Sequence, residues 1–149
     1  MLTDFFAPNA VKLDLAGTTR DEVLADLVSL IGLDSRAQVT LHRMLKRRES
    51  LGSTGVGRGV AIPHSRSLVV ERLHLAFGHH RAGIPFDAID GRPVHHFFLI
   101  VAPPVEISNQ YLPVLGRIAQ LVKEPDVPAR LAALAAPADF FALLSEKGV

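Results

Sequence analysis

Cysteine is absent from the 149-residue chain, which excludes disulfides, thiolate nucleophiles and cysteine-based zinc or iron–sulfur sites. Long apolar runs are absent as well. The stretch from Phe97 to Val105 has nine residues, two of them prolines, far short of the roughly 20 apolar residues that cross a bilayer. No basic residue precedes the first apolar residues of the chain, so we predict no signal peptide and a cytosolic protein.

A strong net charge is also missing, because 16 basic and 15 acidic residues leave a formal charge of +1. This balance argues against a dedicated nucleic-acid binder. The length predicts a single domain over residues 1–149, and the apolar share of 48% is that of a soluble globular protein. Positive charge is nonetheless concentrated between Arg36 and Arg72, where eight basic residues face two acidic ones. Such a region attracts phosphate or an acidic protein face, or it is only a solvated helix flank.

The hydrophobic pattern changes along the chain between the strand period and the helix period. Capping boxes that begin at Thr19 and Ser35 open two helices, and Gly32 suits the end of the first one. Residues 51–59 are rich in glycine and are expected to form a loop, and Pro63 to halt the strand that follows. We predict strands over residues 10–15, 60–62, 73–78 and 94–102, and helices over residues 111–122, 127–135 and 138–145. These elements predict a mixed β-sheet covered by helices, an α+β domain.

The segment from Gly52 to His64 contains the main chemical candidate. Its glycines let backbone N–H groups converge on an anion, and Ser53, Thr54 and Arg48 add polar donors nearby. The segment lies between a helix and a strand and lacks Gly-Lys-Ser/Thr, so neither a P-loop nor a dinucleotide fingerprint fits. A neutral His64 is a nucleophile that could accept a phosphoryl group, whose charge these donors would stabilise. From the residues alone, a loop histidine beside a glycine turn remains the alternative.

The other six histidines are weaker candidates. The adjacent pairs at 79–80 and 95–96 consist of strand neighbours, which point to opposite faces, so neither pair can chelate a metal alone. Without cysteine or a His-x-x-x-His pattern we expect no metal site, and nothing in the sequence points to a cofactor. Asp87 and Asp90 could form a carboxylate pair, but the glycines and prolines around them favour turn residues.

The sequence from Arg48 through His64, and again from Ile84 to Gly91, resembles the signature of enzyme IIA domains of the bacterial phosphoenolpyruvate-dependent phosphotransferase system, of the fructose–mannitol type. Gly-Ser-Thr-Gly at residues 52–55 is most similar to the nitrogen-regulatory branch, and the resemblance covers nearly the whole chain. It implies a mixed sheet with helices on both faces, a three-layer arrangement. It also implies that an HPr-like carrier protein phosphorylates His64, with Arg48 near the phosphoryl group.

We expect five residues to bind phosphate: Ser53, Thr54, Gly55, Ser65 and Tyr111. Two of them depart from the family pattern. Ser65 stands where a glycine usually follows the phosphorylated histidine, and Tyr111 where a second histidine usually begins the helix after the long strand. The alternative for Tyr111 is an aromatic packing residue at the start of that helix.

The function that the resemblance implies is a phosphohistidine relay that regulates partner proteins according to its phosphorylation state. One alternative is a soluble IIA component that passes phosphate to a IIB domain for sugar uptake. Another is an interaction module that has lost phosphotransfer. The expected partners are the HPr-like carrier and either a regulatory target or a IIB domain, without nucleic acid or membrane insertion, and a homodimer is left open.

Overall fold

The computed structural model describes all 149 residues, and its central feature is a six-stranded sheet. The strands are β1 (Phe6–Lys12), β2 (Gly55–Gly57), β3 (Val60–Ala61), β4 (His64–Arg66), β5 (His74–Ile84) and β6 (Val94–Ala102). Their order in the sheet is β1-β5-β6-β3-β2, and β4 also pairs with β6. The β5–β6 and β2–β3 pairs are antiparallel and the other three are parallel. The predicted mixed sheet is therefore confirmed.

Five helices accompany the sheet: α1 (Arg20–Val28), α2 (Ser35–Leu51), α3 (Tyr111–Lys123), α4 (Val127–Ala132) and α5 (Pro137–Glu146). Two of them show that both faces of the sheet are covered. On β5 the ring of Phe77 stacks on Phe140 of α5, with centroids 4.4 Å apart. The next residue, Gly78, leaves room for Leu27 of α1. Because adjacent strand residues point to opposite faces, the expected three-layer arrangement is confirmed.

The buried apolar side chains form one continuous cluster of 38 residues, with β6 at its centre. Every residue from Phe97 to Ala102 is at most 1% exposed. A strand that is buried on both faces has a nearly continuous apolar sequence, which is why the sequence located β6 accurately. None of the helices is long and apolar enough to span a membrane.

Two element starts differ from the sequence predictions. The side chain of Asp34 caps α2 by accepting the N–H of Ala37 at 2.8 Å, so the capping box predicted at Ser35 is wrong. β1 begins at Phe6 rather than at residue 10. Its parallel pairing with β5 extends it beyond the weakly alternating stretch that predicted it.

The glycine-rich segment is not a loop throughout, and that prediction is wrong in part. Gly55–Gly57 forms β2, which pairs with β3 at the edge of the sheet. Gly57, Arg58 and Gly59 have φ angles of 95°, 56° and 78°. Three successive left-handed residues make the tight turn between the two strands, and glycine takes that conformation without strain at two of them.

Candidate functional site

His64 lies where strand pairing along one side of β6 is interrupted between β3 and β4. β3 ends at Ala61, before Pro63, and pairing with β6 resumes with His64 opposite Ile100. Because β6 ends at Ala102, His64 stands near the carboxyl end of that strand. Ligand sites of open α/β sheets usually form at this edge.

The His64 imidazole has one ring nitrogen held and the other free. Nδ1 lies 2.6 Å from the backbone oxygen of Ile62. A carbonyl oxygen can only accept, so Nδ1 carries the proton and donates it. Nε2 then holds the lone pair of the neutral ring, and no hydrogen bond within the protein occupies it. This tautomer is the one that a nitrogen nucleophile needs.

Partial burial favours the neutral form of His64. Burial lowers the pKa of His64, and the nearby positive charge of Arg48 lowers it further. The hydrogen bond to Ile62 and the negative charge of Glu49 raise that pKa, but they do not cancel the lowering. The ring is therefore uncharged at pH 7, with its Nε2 lone pair available to form a bond.

Arg48 occupies the last turn of α2, close to His64. Its Nη1 donates to the backbone oxygen of Gly52 at 2.8 Å, which ties the end of the helix to the start of the glycine-rich segment. The positive charge of this guanidinium acts to lower the pKa of both His64 and Tyr111. The structure thus brings together the three side chains that the sequence analysis grouped by resemblance.

A buried carboxylate organises the segment between Arg48 and His64. Glu49 is 3% exposed; its Oε2 accepts the backbone N–H of Thr54 at 2.9 Å and its Oε1 accepts the Thr54 hydroxyl. A buried carboxylate needs such partners. Glu49 was not among the residues predicted from the sequence, although its position was a signal. An acidic residue in the last turn of a helix opposes the helix dipole and so indicates a tertiary partner.

The polar groups of the glycine-rich segment are already paired within the protein. The Ser53 hydroxyl donates to the backbone oxygen of Phe86 and accepts the N–H of Gly55 at 3.0 Å. Thr54 directs both of its donors to Glu49. In this arrangement these groups shape the segment before His64, and direct phosphate binding by Ser53, Thr54 and Gly55 stays a prediction.

Ser65 and Arg66 follow His64 on β4. The Ser65 hydroxyl donates to the backbone oxygen of Arg66 at 2.9 Å, and its contact with phosphate also stays a prediction. The Arg66 guanidinium donates through Nη1 to the backbone oxygens of Pro103 and Ser108, at 2.7 and 3.3 Å. The sequence analysis counted Arg66 only as part of the basic region. Arg66 comes two residues after His64, and strand residues with that spacing share a face. That spacing could have indicated that Arg66 lies near His64.

Tyr111, the first residue of α3, lies beside His64. The two ring centroids are 5.9 Å apart, with an angle of 56° between the planes. The Arg66 guanidinium lies over the same phenol ring, with Cζ 4.7 Å from its centroid. Burial raises the pKa of Tyr111, and the positive charges of Arg66 and Arg48 oppose that rise. The ring also packs against the core, so a packing role and a place in the site are compatible.

The remaining candidates lie elsewhere. Asp90 lies in a turn, as predicted, and accepts the backbone N–H of Arg58 at 2.9 Å. Asp87 lies in the irregular segment just before that turn, with a φ of 50°. The histidine pairs at 79–80 and 95–96 lie on β5 and at the start of β6, at the opposite end of β6 from His64.

Comparisons with known proteins point to one family. The family described as "Phosphoenolpyruvate-dependent sugar phosphotransferase system, EIIA 2" matches residues 4–147. The nitrogen regulatory protein of Bradyrhizobium diazoefficiens is 35% identical over 136 residues, which cover 89% of this chain and 86% of that protein. The fructose-specific EIIABC component of Bacillus subtilis is 28% identical over 134 residues, which cover 87% of this chain and 21% of that protein.

A solved structure extends the similarity to three dimensions. The nitrogen regulatory protein IIA-Ntr from Neisseria meningitidis superposes with a TM-score of 0.86, at 27% sequence identity. The superposition covers 95% of this chain and 97% of that chain. The similarity to nitrogen regulatory proteins therefore extends over most of both chains, in sequence and in fold.

Proposed function

The chain belongs to the EIIA 2 family of the phosphoenolpyruvate-dependent sugar phosphotransferase system, and on that premise we propose that it carries a phosphoryl group on Nε2 of His64. The donor is an HPr-like carrier protein, and the phosphorylation state of the chain determines which partner it binds. The observation that carries this proposal is the His64 ring itself. Its Nδ1 proton is held by Ile62 and its Nε2 is free, next to the positive charge of Arg48.

The transfer step needs no net proton movement at His64. The Nε2 lone pair attacks the phosphorus of the donor's phosphohistidine. The new Nε2–P bond forms as the donor's N–P bond breaks, and the donor nitrogen keeps the electron pair of the broken bond. The proton on Nδ1 stays in its hydrogen bond to the Ile62 oxygen. That hydrogen bond stabilises the positive charge that the ring acquires when Nε2 is phosphorylated.

Two features near His64 would stabilise the negative charge of the phosphoryl group. Arg48 supplies a guanidinium, the side chain that binds phosphate oxygens most specifically. α3 begins at Tyr111, beside His64, and no side chain caps its N-terminus. The N-terminal end of a helix has a partial positive charge and attracts anions. Positioning and charge stabilisation of this kind supply most of the catalysis of phosphoryl transfer.

The regulatory role rests on similarity to the nitrogen regulatory proteins over most of their length. Phosphorylation adds close to two negative charges at pH 7, and this changes the electrostatic surface around Arg48. A partner that binds the basic surface is then released, or one that binds the phosphoryl group is recruited.

A second function, transfer to a IIB domain during sugar uptake, is favoured by the similarity to the fructose-specific EIIABC component. The two functions differ in what happens after His64 is phosphorylated. A transport component passes the phosphoryl group on to a IIB domain, whereas a regulatory protein retains it until a target or the carrier removes it. Incubation of the phosphorylated chain with purified IIB domains distinguishes them, because rapid loss of phosphate to IIB supports transport.

Intact mass spectrometry tests the central step. The chain is incubated with phosphoenolpyruvate and the purified upstream carriers, and we expect it to gain one phosphoryl group that is labile in acid and stable in base. His64→Gln should gain none. His74→Gln is the matched control, because His74 is also a partly buried histidine whose pKa is lowered by burial, and it should be phosphorylated like the wild type. A phosphoryl gain by His64→Gln contradicts the proposal, and no gain by the wild type would favour an interaction module without phosphotransfer.

A further inference from the structure

His64, Tyr111 and Arg66 form a row of three side chains. The His64 and Tyr111 ring centroids are 5.9 Å apart, and the Arg66 Cζ lies 4.7 Å from the Tyr111 centroid. The second distance is within the range of about 6 Å over which a cation interacts with an aromatic face. His64 and Arg66 are two residues apart on β4 and so share a face of that strand. The phenol ring lies against both of them.

Arg66 is itself held by the chain that leads to Tyr111. Its Nη1 donates to the backbone oxygens of Pro103 and Ser108, near the two ends of the connection between β6 and α3. Two backbone contacts and one ring contact thus join a single side chain of β4 to the start of α3. A lysine could not make these contacts in the same way, because only the guanidinium has a planar fork of donors that also stacks on a ring.

We propose that Arg66 is a positioning residue for phosphotransfer: it holds Tyr111 beside His64 and supplies, next to that ring, the positive charge that tyrosine lacks. This proposal rests on the proposed phosphorylation of His64. A tyrosine can donate one neutral hydrogen bond to a phosphoryl oxygen but has no charge at pH 7. A phenol oxygen becomes more negative as its O–H group donates a hydrogen bond. A guanidinium over the ring stabilises that negative charge, and the hydroxyl is therefore a better donor.

Tyr111 is the only tyrosine of the chain, and there is no tryptophan. The near-ultraviolet absorbance and circular dichroism of tyrosine therefore report this one ring, without a background from other residues of that type. A spectrophotometric titration of the wild type measures the ionisation of Tyr111 directly. The signal does not depend on phosphotransfer, so it tests the contact between Arg66 and Tyr111 separately.

The first experiment compares Arg66→Met and Arg66→Lys with the wild type. Methionine keeps an unbranched apolar side chain but removes the positive charge and the hydrogen-bond donors of arginine. Arg66→Met should therefore raise the pKa of Tyr111 and slow phosphotransfer by about three- to tenfold. Arg66→Lys keeps the charge without the planar fork. It should recover most of the tyrosine titration and part of the rate. Arg117→Met is the matched control, an exposed arginine on α3, and it should change neither measurement.

The second experiment is a double-mutant cycle with Tyr111→Ala. If Arg66 acts through Tyr111, then Arg66→Met slows transfer much less in the Tyr111→Ala background than in the wild type. Equal slowing in both backgrounds would overturn the proposal, because Arg66 would then act without Tyr111. A wild-type titration and rate in Arg66→Met would overturn it as well. Absence of phosphorylation in the wild type itself would instead refute the proposed function, so the two failures are distinguishable.

Discussion

Histidines lie at both ends of β6, and their ring nitrogens are used in opposite ways. At the carboxyl end, His64 has one ring nitrogen bound to a carbonyl oxygen and the other free. At the amino end, His79 and His96 bond to each other through Nδ1 at 3.1 Å and stack with ring centroids 5.0 Å apart. At the first end one imidazole nitrogen is free near two arginines, whereas at the second end His79 and His96 are hydrogen-bonded to each other.

The amino-end group consists of His79, His80, His95 and His96, and two of these, His79 and His96, resist protonation. Burial, together with smaller contributions from positive charge on His79 and His95, lowers the pKa of His96 to about 3. Burial also lowers the pKa of His79, and His80 bonds to the backbone oxygen of Gly17 at 2.7 Å. His79 and His96 therefore act as neutral packing residues that are hydrogen-bonded to each other. A histidine is thus a candidate phosphoryl acceptor when its second ring nitrogen is free and a cation lies near it. The number of other histidines around it does not matter.

The largest effect that we predict concerns the scaffold of the carboxyl end. Glu49→Ala removes the acceptor of both Thr54 donors and leaves them buried without partners. We expect it to reduce the free energy of unfolding by roughly 2–5 kcal/mol, measured by urea denaturation. Glu49→Gln keeps one acceptor oxygen and should cost less. Glu71→Ala, at an exposed glutamate, is the control, and a Glu49→Ala variant as stable as that control would contradict the assignment.

His96, at the amino end, should make the fold sensitive to acid. The pKa of His96 is about 3 in the folded protein and near 6.5 in the unfolded chain, so the unfolded state binds the proton first as the pH falls. Stability is therefore present above pH 6.5 and is lost progressively toward pH 3, by at most about 1.4 kcal/mol per pH unit for this one group. His96→Asn should flatten the dependence of unfolding free energy on pH between 6 and 4, whereas Arg81→Ala, an exposed neighbour, should not. An unchanged slope in His96→Asn would remove His96 as the cause.

The next prediction concerns Arg48, whose positive charge distinguishes the carboxyl end of β6 from the neutral histidines at the amino end. Arg48→Ala should slow phosphotransfer to His64 at least about tenfold, since a charge-assisted hydrogen bond is worth roughly 1.5–3 kcal/mol. Its thermal unfolding should change little, because the contact with Gly52 that it loses is exposed. Arg47→Ala removes an exposed arginine one residue earlier and controls for general charge. Transfer at the wild-type rate in Arg48→Ala would show that Arg48 has no role in the step.

The smallest effects should come from Tyr111. Tyr111→His can add a charge and should leave transfer unchanged or accelerate it by up to about tenfold, because a charge-assisted hydrogen bond exceeds a neutral one by about 1 kcal/mol. Tyr111→Phe should slow transfer only modestly and keep the fold, since the ring packing remains. Rates from single-turnover mixing with the phosphorylated carrier measure both. A complete stop in Tyr111→Phe would show that the hydroxyl is essential, whereas a destabilised fold with unchanged transfer would reduce Tyr111 to a packing residue.

Much of this fold was predictable from local sequence. The capping box at Thr19 forms as expected, with the Thr19 hydroxyl accepting the N–H of Glu22 at 3.2 Å, and the apolar run of β6 matches the strand to the residue. The start of β1 and the strand at Gly55–Gly57 were not predictable in the same way. β1 depends on β5, a partner strand distant in sequence, whereas β2 forms a tight hairpin with β3. In both cases strand pairing overrides weak local preferences.

The sequence by itself determined the fold class and the candidate acceptor, because a capping box, an apolar strand and the motif that ends at His64 depend on residues close together in the chain. Only the tertiary structure decided that Tyr111 lies beside His64 and which cation lies over Tyr111. Arg66 and Ser108 are 42 residues apart in sequence, yet they are joined by a hydrogen bond. Such contacts arise when the sheet brings β4 beside β6 and so beside the start of α3. The contacts of the Tyr111 ring with His64 and Arg66 depend on that packing, and no local pattern encodes them.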